Sequence, residues 1–182
     1  MKVKVPMLLV VLSSLVLAGA LQAQEDDLQG AASPNVRGTA TAHLQSYQEV
    51  PALSTPGSGD FVATINAAGT EINYQLRFAN LQGKVTQSHL HFAQPGVNGA
   101  IMIFLCSNLG NGPAGTQACP TGGGTISGVI HAADVIGNTQ GIAPGELFEI
   151  IQGIRGGVVY ANVHSDLFPG GEIRGQVHFT HH

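Results

Sequence analysis

Ile72-Asn73-Tyr74-Gln75-Leu76-Arg77-Phe78 puts an apolar or aromatic residue at every second position and a polar one between. Side chains of an extended chain point alternately to its two faces, so a period of two predicts a strand with one face buried. Working outward, the same alternation runs through Ala40, Ala42, Leu44 and through Phe61, Ala63, Ile65. Turn chemistry separates these runs: Ser54-Thr55-Pro56-Gly57-Ser58-Gly59, Asn66-Ala67-Ala68-Gly69, and Ala93-Gln94-Pro95-Gly96-Val97-Asn98-Gly99. Further strands are predicted over 85–92, 100–105, 125–131, 158–164 and 172–179. Helical spacing is confined to 143–153, where Pro144 suits a first turn and Leu147, Phe148 and Ile151 share a face. The fold predicted over 38–180 is an all-β, Greek-key antiparallel sandwich or barrel of about 7–9 strands, with one short helix and a disulfide-closed loop.

Composition narrows the class further. Charged residues make up 10% of the 182 residues and glycine contributes 25 positions, whereas coiled coils, helical bundles and charge-driven disordered chains need many Glu, Lys and Arg. Seven basic against eleven acidic side chains give a net charge of −4, so the basic footprint of a nucleic-acid binder is missing. Lys2 and Lys4 precede an apolar run over 6–17 and then small residues. That order predicts a signal peptide over 1–23, cut after Ala23, and a flexible leader over 24–37. Loss of Lys2 and Lys4 leaves five basic and eleven acidic side chains, a charge of −6. The apolar centre is shorter than the roughly 20 residues of a membrane span, so the mature chain is expected to be periplasmic or secreted with no span. Export makes Cys106 and Cys119 a disulfide rather than a thiolate metal pair.

Eight histidines among so few ionisable groups are the most informative feature. His89 and His91 sit two apart in a predicted strand, so their side chains leave one face with bases roughly 7 Å apart. Two imidazoles so placed can converge on one ion through bonds of about 2 Å. His164 shares its strand face with Tyr160 and Asn162 and is the leading third ligand, with His131 a fourth candidate. His43 alternates with Thr41 and Gln45 as a surface residue or spare ligand, while His178, His181 and His182 lie at a terminus expected to fray. Neutral imidazoles without thiolate suit Cu(II) or Zn(II), with copper first in affinity. Asn162, Asp166, Glu172 and Asp134 are the candidates to orient the far ring nitrogens. Asp166 and Glu172 have the competing option of pairing with Arg174 or capping the turn at Pro169. The alternative for His89 and His91 is the polar face of an exposed strand. Nucleophile elbow, phosphate-cradling loop and His-Glu-x-x-His helix are all missing, so no catalytic residue is assigned.

Three motifs converge on one family. Gln48-Glu49-Val50-Pro51, then Ser88-His89-Leu90-His91-Phe92-Ala93-Gln94-Pro95-Gly96-Val97-Asn98-Gly99, then Tyr160-Ala161-Asn162-Val163-His164-Ser165-Asp166-Leu167-Phe168-Pro169-Gly170-Gly171-Glu172-Ile173-Arg174-Gly175-Gln176 closely resemble the CHRD domain, named from chordin. The resemblance covers residues 38–179, with Ala93 where the family commonly has Gly and Ala100 where it commonly has Pro. It implies an extracytoplasmic all-β domain, single in bacterial exported proteins and repeated in the animal morphogen-binding protein, with no generally assigned reaction. A weaker similarity is to copper/zinc superoxide dismutases, through His-x-His on a strand, a tethered loop and Asp134-Val135-Ile136-Gly137-Asn138. Residues 107–124 hold neither the His nor the Asp that the dismutase zinc half-site requires. Three functions therefore stand open: metal binding for storage or protection, an adhesive or ligand-binding module with structural histidines, and a copper redox enzyme of dismutase type.

Overall fold

The computed structural model describes residues 37–137 and 140–182. The expected signal peptide and all of the leader except Arg37 lie outside the described residues. Among the described residues, nine strands form one antiparallel sheet: β1 Gly38–Gln45, β2 Ser58–Ile65, β3 Ile72–Ala79, β4 Val85–Phe92, β5 Ala100–Ser107, β6 Gly124–Ile130, β7 Val159–Ser165, β8 Ile173–Gln176 and β9 His178–His181. Helix α1, Leu147–Arg155, lies between β6 and β7. The spatial order is β5-β4-β7-β8-β1-β2-β3-β6, with β9 also pairing with β1. Neighbours are thus interleaved: β6 returns to β3, β7 to β4, and β8 with β9 to β1. The sheet curls into a nearly closed, barrel-like sandwich.

The alternating runs behave as their period predicts. Ile72, Tyr74, Leu76 and Phe78 are buried while Asn73, Gln75 and Arg77 face outward, and β1 and β2 show the same pattern against them. Their inner faces meet Leu90, Ile103, Val163 and Ile173 from the other half of the sheet in a single core. Ile150, Ile151 and Ile154 of α1 join that core. Cys106 and Cys119 are bonded, tying the loop after β5 back to its own strand.

Two boundaries differ from the sequence reading. The helix starts at Leu147, not near Ala143, because Gly145 has φ +88° and breaks any right-handed helix before it. Phe148 is then half-exposed, and Ile150 rather than Phe148 completes the buried stripe. The second difference is in 172–179, which splits at the buried Val177. Its amide donates to Val159 O at 2.9 Å, and the chain then passes from β7 to β1. His178 and His181 consequently pair with Thr41 and Gly38 in a strand ladder, so the terminus is not frayed.

Candidate metal centre

Strand β7 is buried on both faces along its whole length, and β4 is buried on both faces from Ser88 to His91. One face of β4, β7 and β8 is apolar and carries Leu90, Ala161, Val163 and Ile173 into the core. The other is polar. Its cross-strand rows are His89, Asn162, Arg174 and His91, Tyr160, Gln176, with Gln87 opposite His164 at one end. Loops distant in sequence cover this polar face. Arg174 donates to Val97 O at 2.8 Å and Asn98 Oδ1 at 3.1 Å, Gln176 to Ala93 O at 3.0 Å, and Asn98 to Val50 O at 2.9 Å. The option of an exposed strand face is therefore overturned: His89 is fully buried, and His91 and His164 are 6% and 5% exposed.

Three imidazoles meet inside this layer. The ring of His89 lies 4.9 Å from that of His164 and 5.4 Å from that of His91, centroid to centroid. One potential ligand atom from each ring falls within 4.8 Å of the other two. Bonds of about 2.0–2.1 Å place three donor atoms around one ion about 3.6 Å apart, so the rings need to close by roughly an ångström. Backbone carbonyls set two of the tautomers. His91 Nδ1 lies 3.0 Å from Gly99 O and His164 Nδ1 lies 2.9 Å from Pro169 O. A carbonyl only accepts, so both Nδ1 atoms carry the proton and both Nε2 atoms keep a lone pair. His89 Nδ1, 3.1 Å from His164 Nε2, then donates to it. That leaves the Nε2 atoms of His89 and His91 buried and without a partner.

Burial dominates the protonation of all three rings. It lowers His89 to about 2, reinforced by His164 and His91, and lowers His91 to about 4 against the opposing pull of Gly99 O. His164 is lowered for the same reason, partly countered by Pro169 O. Burial thus favours the neutral, lone-pair-donating form of all three rings, the form in which imidazole ligates metal. Phe104 packs edge-on against His89 at 4.4 Å. Tyr160 stacks flat on His91 at 4.7 Å from the β4 side, and Arg174 covers Tyr160 at 3.5 Å from the β8 side.

The other candidates fall in different places. His131 is exposed at the start of a 3-10 turn, on a strand end paired with β3 rather than with β4 or β7. Asp134 accepts the His131 backbone amide at 2.8 Å, so its carboxylate caps that turn. Asp166 accepts the Lys84 amide at 2.8 Å, and Glu172 accepts those of Gln82 and Gly83 at 2.6 and 3.2 Å. Both fasten the loop before β4 rather than a ring nitrogen. His43 is exposed and pairs with Asp60 at 2.8 Å. Asn162, by contrast, brings its side-chain amide toward both His91 and Glu49, raising the pKa of the first and lowering that of the second.

Glu49 is a residue that reading the sequence for ligands passed over, although it stands in the first of the three motifs. Its carboxyl is buried and pushed up to about 7 by that burial, against the opposing pull of Arg174 and Asn162. Gly171 makes room for it: a Cβ there would sit 2.5 Å from Glu49 Oε1 and 2.6 Å from Asn162 Nδ2, at φ +129°. The family model for the CHRD domain matches residues 40–177. The chain belongs to the CHRD domain family. All three motifs lie within the match, and CHRD membership together with the disulfide fits an extracytoplasmic module. No curated protein and no solved structure matches the chain, so the similarity to dismutases gains no support. Among the described residues, no helix is long and apolar enough to cross a membrane.

Proposed function

We propose that this CHRD domain is exported by its N-terminal signal peptide and holds one transition-metal ion, copper ahead of zinc, for storage or protection. His89, His91 and His164 are the ligands. The observation that carries this reading is a cluster of three buried histidines in which two Nε2 atoms have no hydrogen-bond partner, since buried polar atoms are otherwise almost always satisfied. His91 and His164 would hold such an ion through the nitrogens left free by Gly99 O and Pro169 O, which keep those two rings oriented.

The test is metal analysis and copper titration of tag-free protein. His181 and His182 are changed to Gln so that the tail adds no adventitious ligands; deleting the last five residues instead removes β9. One equivalent of copper is expected, lost in His89→Ala, His91→Ala. Equal binding by that double variant refutes the proposal.

A second reading has its own observation. The 3.1 Å bond between His89 and His164 and the carbonyl bonds of His91 and His164 suit histidines that organise an adhesive or ligand-binding module. It predicts partner binding that survives the double variant. The dismutase-type reading is not carried forward, because a redox enzyme must admit substrate to its metal and these rings are all but sealed from solvent.

A further inference from the structure

Resting on the copper reading above, we infer that the centre is built for the cuprous ion, binding Cu(I) in preference to Cu(II) and Zn(II). Three features point the same way.

The donors are neutral. His89, His91 and His164 bring no charge, and the carboxylates of Glu172 and Asp166 are occupied by backbone amides of the loop before β4. A bound ion therefore keeps its full charge in a buried layer. The desolvation penalty of a buried ion grows as the square of its charge, so a divalent ion is penalised about four times as heavily as a monovalent one of similar size.

A fixed cation sits nearby. Arg174 is buried, and its guanidinium lies on the far side of the Tyr160 ring from His91. Adding the two stacking distances places it roughly 8 Å from the His91 ring. At that separation and an effective dielectric constant of about 20, one extra unit of positive charge is disfavoured roughly thirtyfold. Glu49 interacts with Arg174 and with Asn162, and it is not among the groups that act on His91, whereas Arg174 is.

The coordination number is low. Zinc almost always completes a fourth position, and Cu(II) favours square or tetragonal sites. Here three rings converge, with Phe104 edge-on against His89. A d10 monovalent ion is content with three imidazoles. No electron transfer is required, because the ion is taken up as Cu(I) and remains so.

The experiment compares affinities on the full-length secreted protein carrying the His181→Gln and His182→Gln changes. Cu(I) is titrated anaerobically in ascorbate against bicinchoninate, Cu(II) against glycine, and Zn(II) against a chromophoric chelator. Cu(I) is expected to bind at least a thousandfold more tightly than Cu(II), which raises the couple by roughly 180 mV over the free ion at 59 mV per tenfold. Arg174→Gln should narrow the ratio by roughly thirtyfold, while Arg174→Lys should keep it. Cu(II) or Zn(II) bound as tightly as Cu(I) overturns the inference and leaves the metal-binding reading standing. Failure of copper in either state to bind through the three rings overturns that reading itself. The wild-type ratio decides the matter even if the Arg174 variants misfold.

Discussion

Acidification between pH 6.5 and 4.5 should unfold the metal-free domain far more readily than it unfolds a variant lacking the buried rings. In the unfolded chain His89, His91 and His164 titrate near 6.5; in the folded chain His91 is lowered to about 4, His89 to about 2, and His164 is lowered too. Across this window the unfolded state therefore binds protons that the folded state refuses, and stability falls as pH falls. Glu49 works in the opposite sense. Its folded value of about 7 lies above the ordinary 4.5, so the folded state holds a proton there that the unfolded state has released.

His89 and His91 give two protons against one for Glu49, with His164 adding to the histidine side. The net rises from near zero at pH 6.5, where each unfolded ring is only half protonated, to about one proton below pH 5.5, which amounts to about 2 kcal/mol from pH 6.5 to 4.5. That is a large share of a typical stability of about 5–15 kcal/mol. Urea denaturation at pH 6.5, 5.5 and 4.5, with chelator present and the disulfide intact, measures it. Glu49→Gln removes the opposing proton and should double the slope, whereas His89→Gln, His91→Gln should flatten or reverse it. A wild-type slope no steeper than that of the double variant refutes the reasoning, since the rings would then be hydrated and protonated in the native state.

Three further outcomes are expected. Replacing both Cys106 and Cys119 with Ala should lower stability in urea by about 3 kcal/mol, the loop-closure entropy for a cross-link of this span in the chain-entropy model. Gly171→Ala should lower thermal stability by about 1–3 kcal/mol, because it forces a side chain onto φ +129° and into Glu49; Gly170→Ala, which meets nothing within 4 Å, is the neutral control. Ile151→Ala should cost about 2–5 kcal/mol while Phe148→Ser changes stability by less than about 1 kcal/mol, although the sequence pattern sets Phe148 on the same face as Ile151.

The strands were legible because each inner face is written locally: Ile72 to Phe78 alternate without exception, and so do Phe61, Ala63 and Ile65. His89, His91 and His164 were legible for the same reason, since strand phase alone assigns Tyr160, Asn162 and His164 to one side. What phase cannot tell is whether a polar side faces water. Here it is covered by Val97 and Asn98, which reach Arg174 from more than seventy residues away, and by Glu49 from another segment, so the burial that makes the site is a tertiary fact. Glu49 and Arg174 were missed because neither shows a local pattern of its own. His131 and Asp134 did carry a local signal: an acceptor three residues past the end of a strand is a capping arrangement. The helix start turned on Gly145, whose left-handed backbone outweighed the preference of Pro144 for a first turn.

Five buried polar atoms lack a hydrogen-bond partner among the described residues: Glu49 Oε1, His89 Nε2, His91 Nε2, Asn162 Oδ1 and Gln176 Oε1. All five belong to the one polar layer. Each such atom costs about 1–3 kcal/mol, a large burden to concentrate in a domain of ordinary stability. Purely structural histidines would relieve none of it, whereas an ion held by the three rings would relieve part of it. The two readings therefore separate in a melting curve. If the layer is a ligand site, copper at a thousand times its dissociation constant adds about 4 kcal/mol of stability, and His89→Ala, His91→Ala abolishes the shift. If the histidines are structural, that double variant melts earlier than the wild type, but copper moves neither curve.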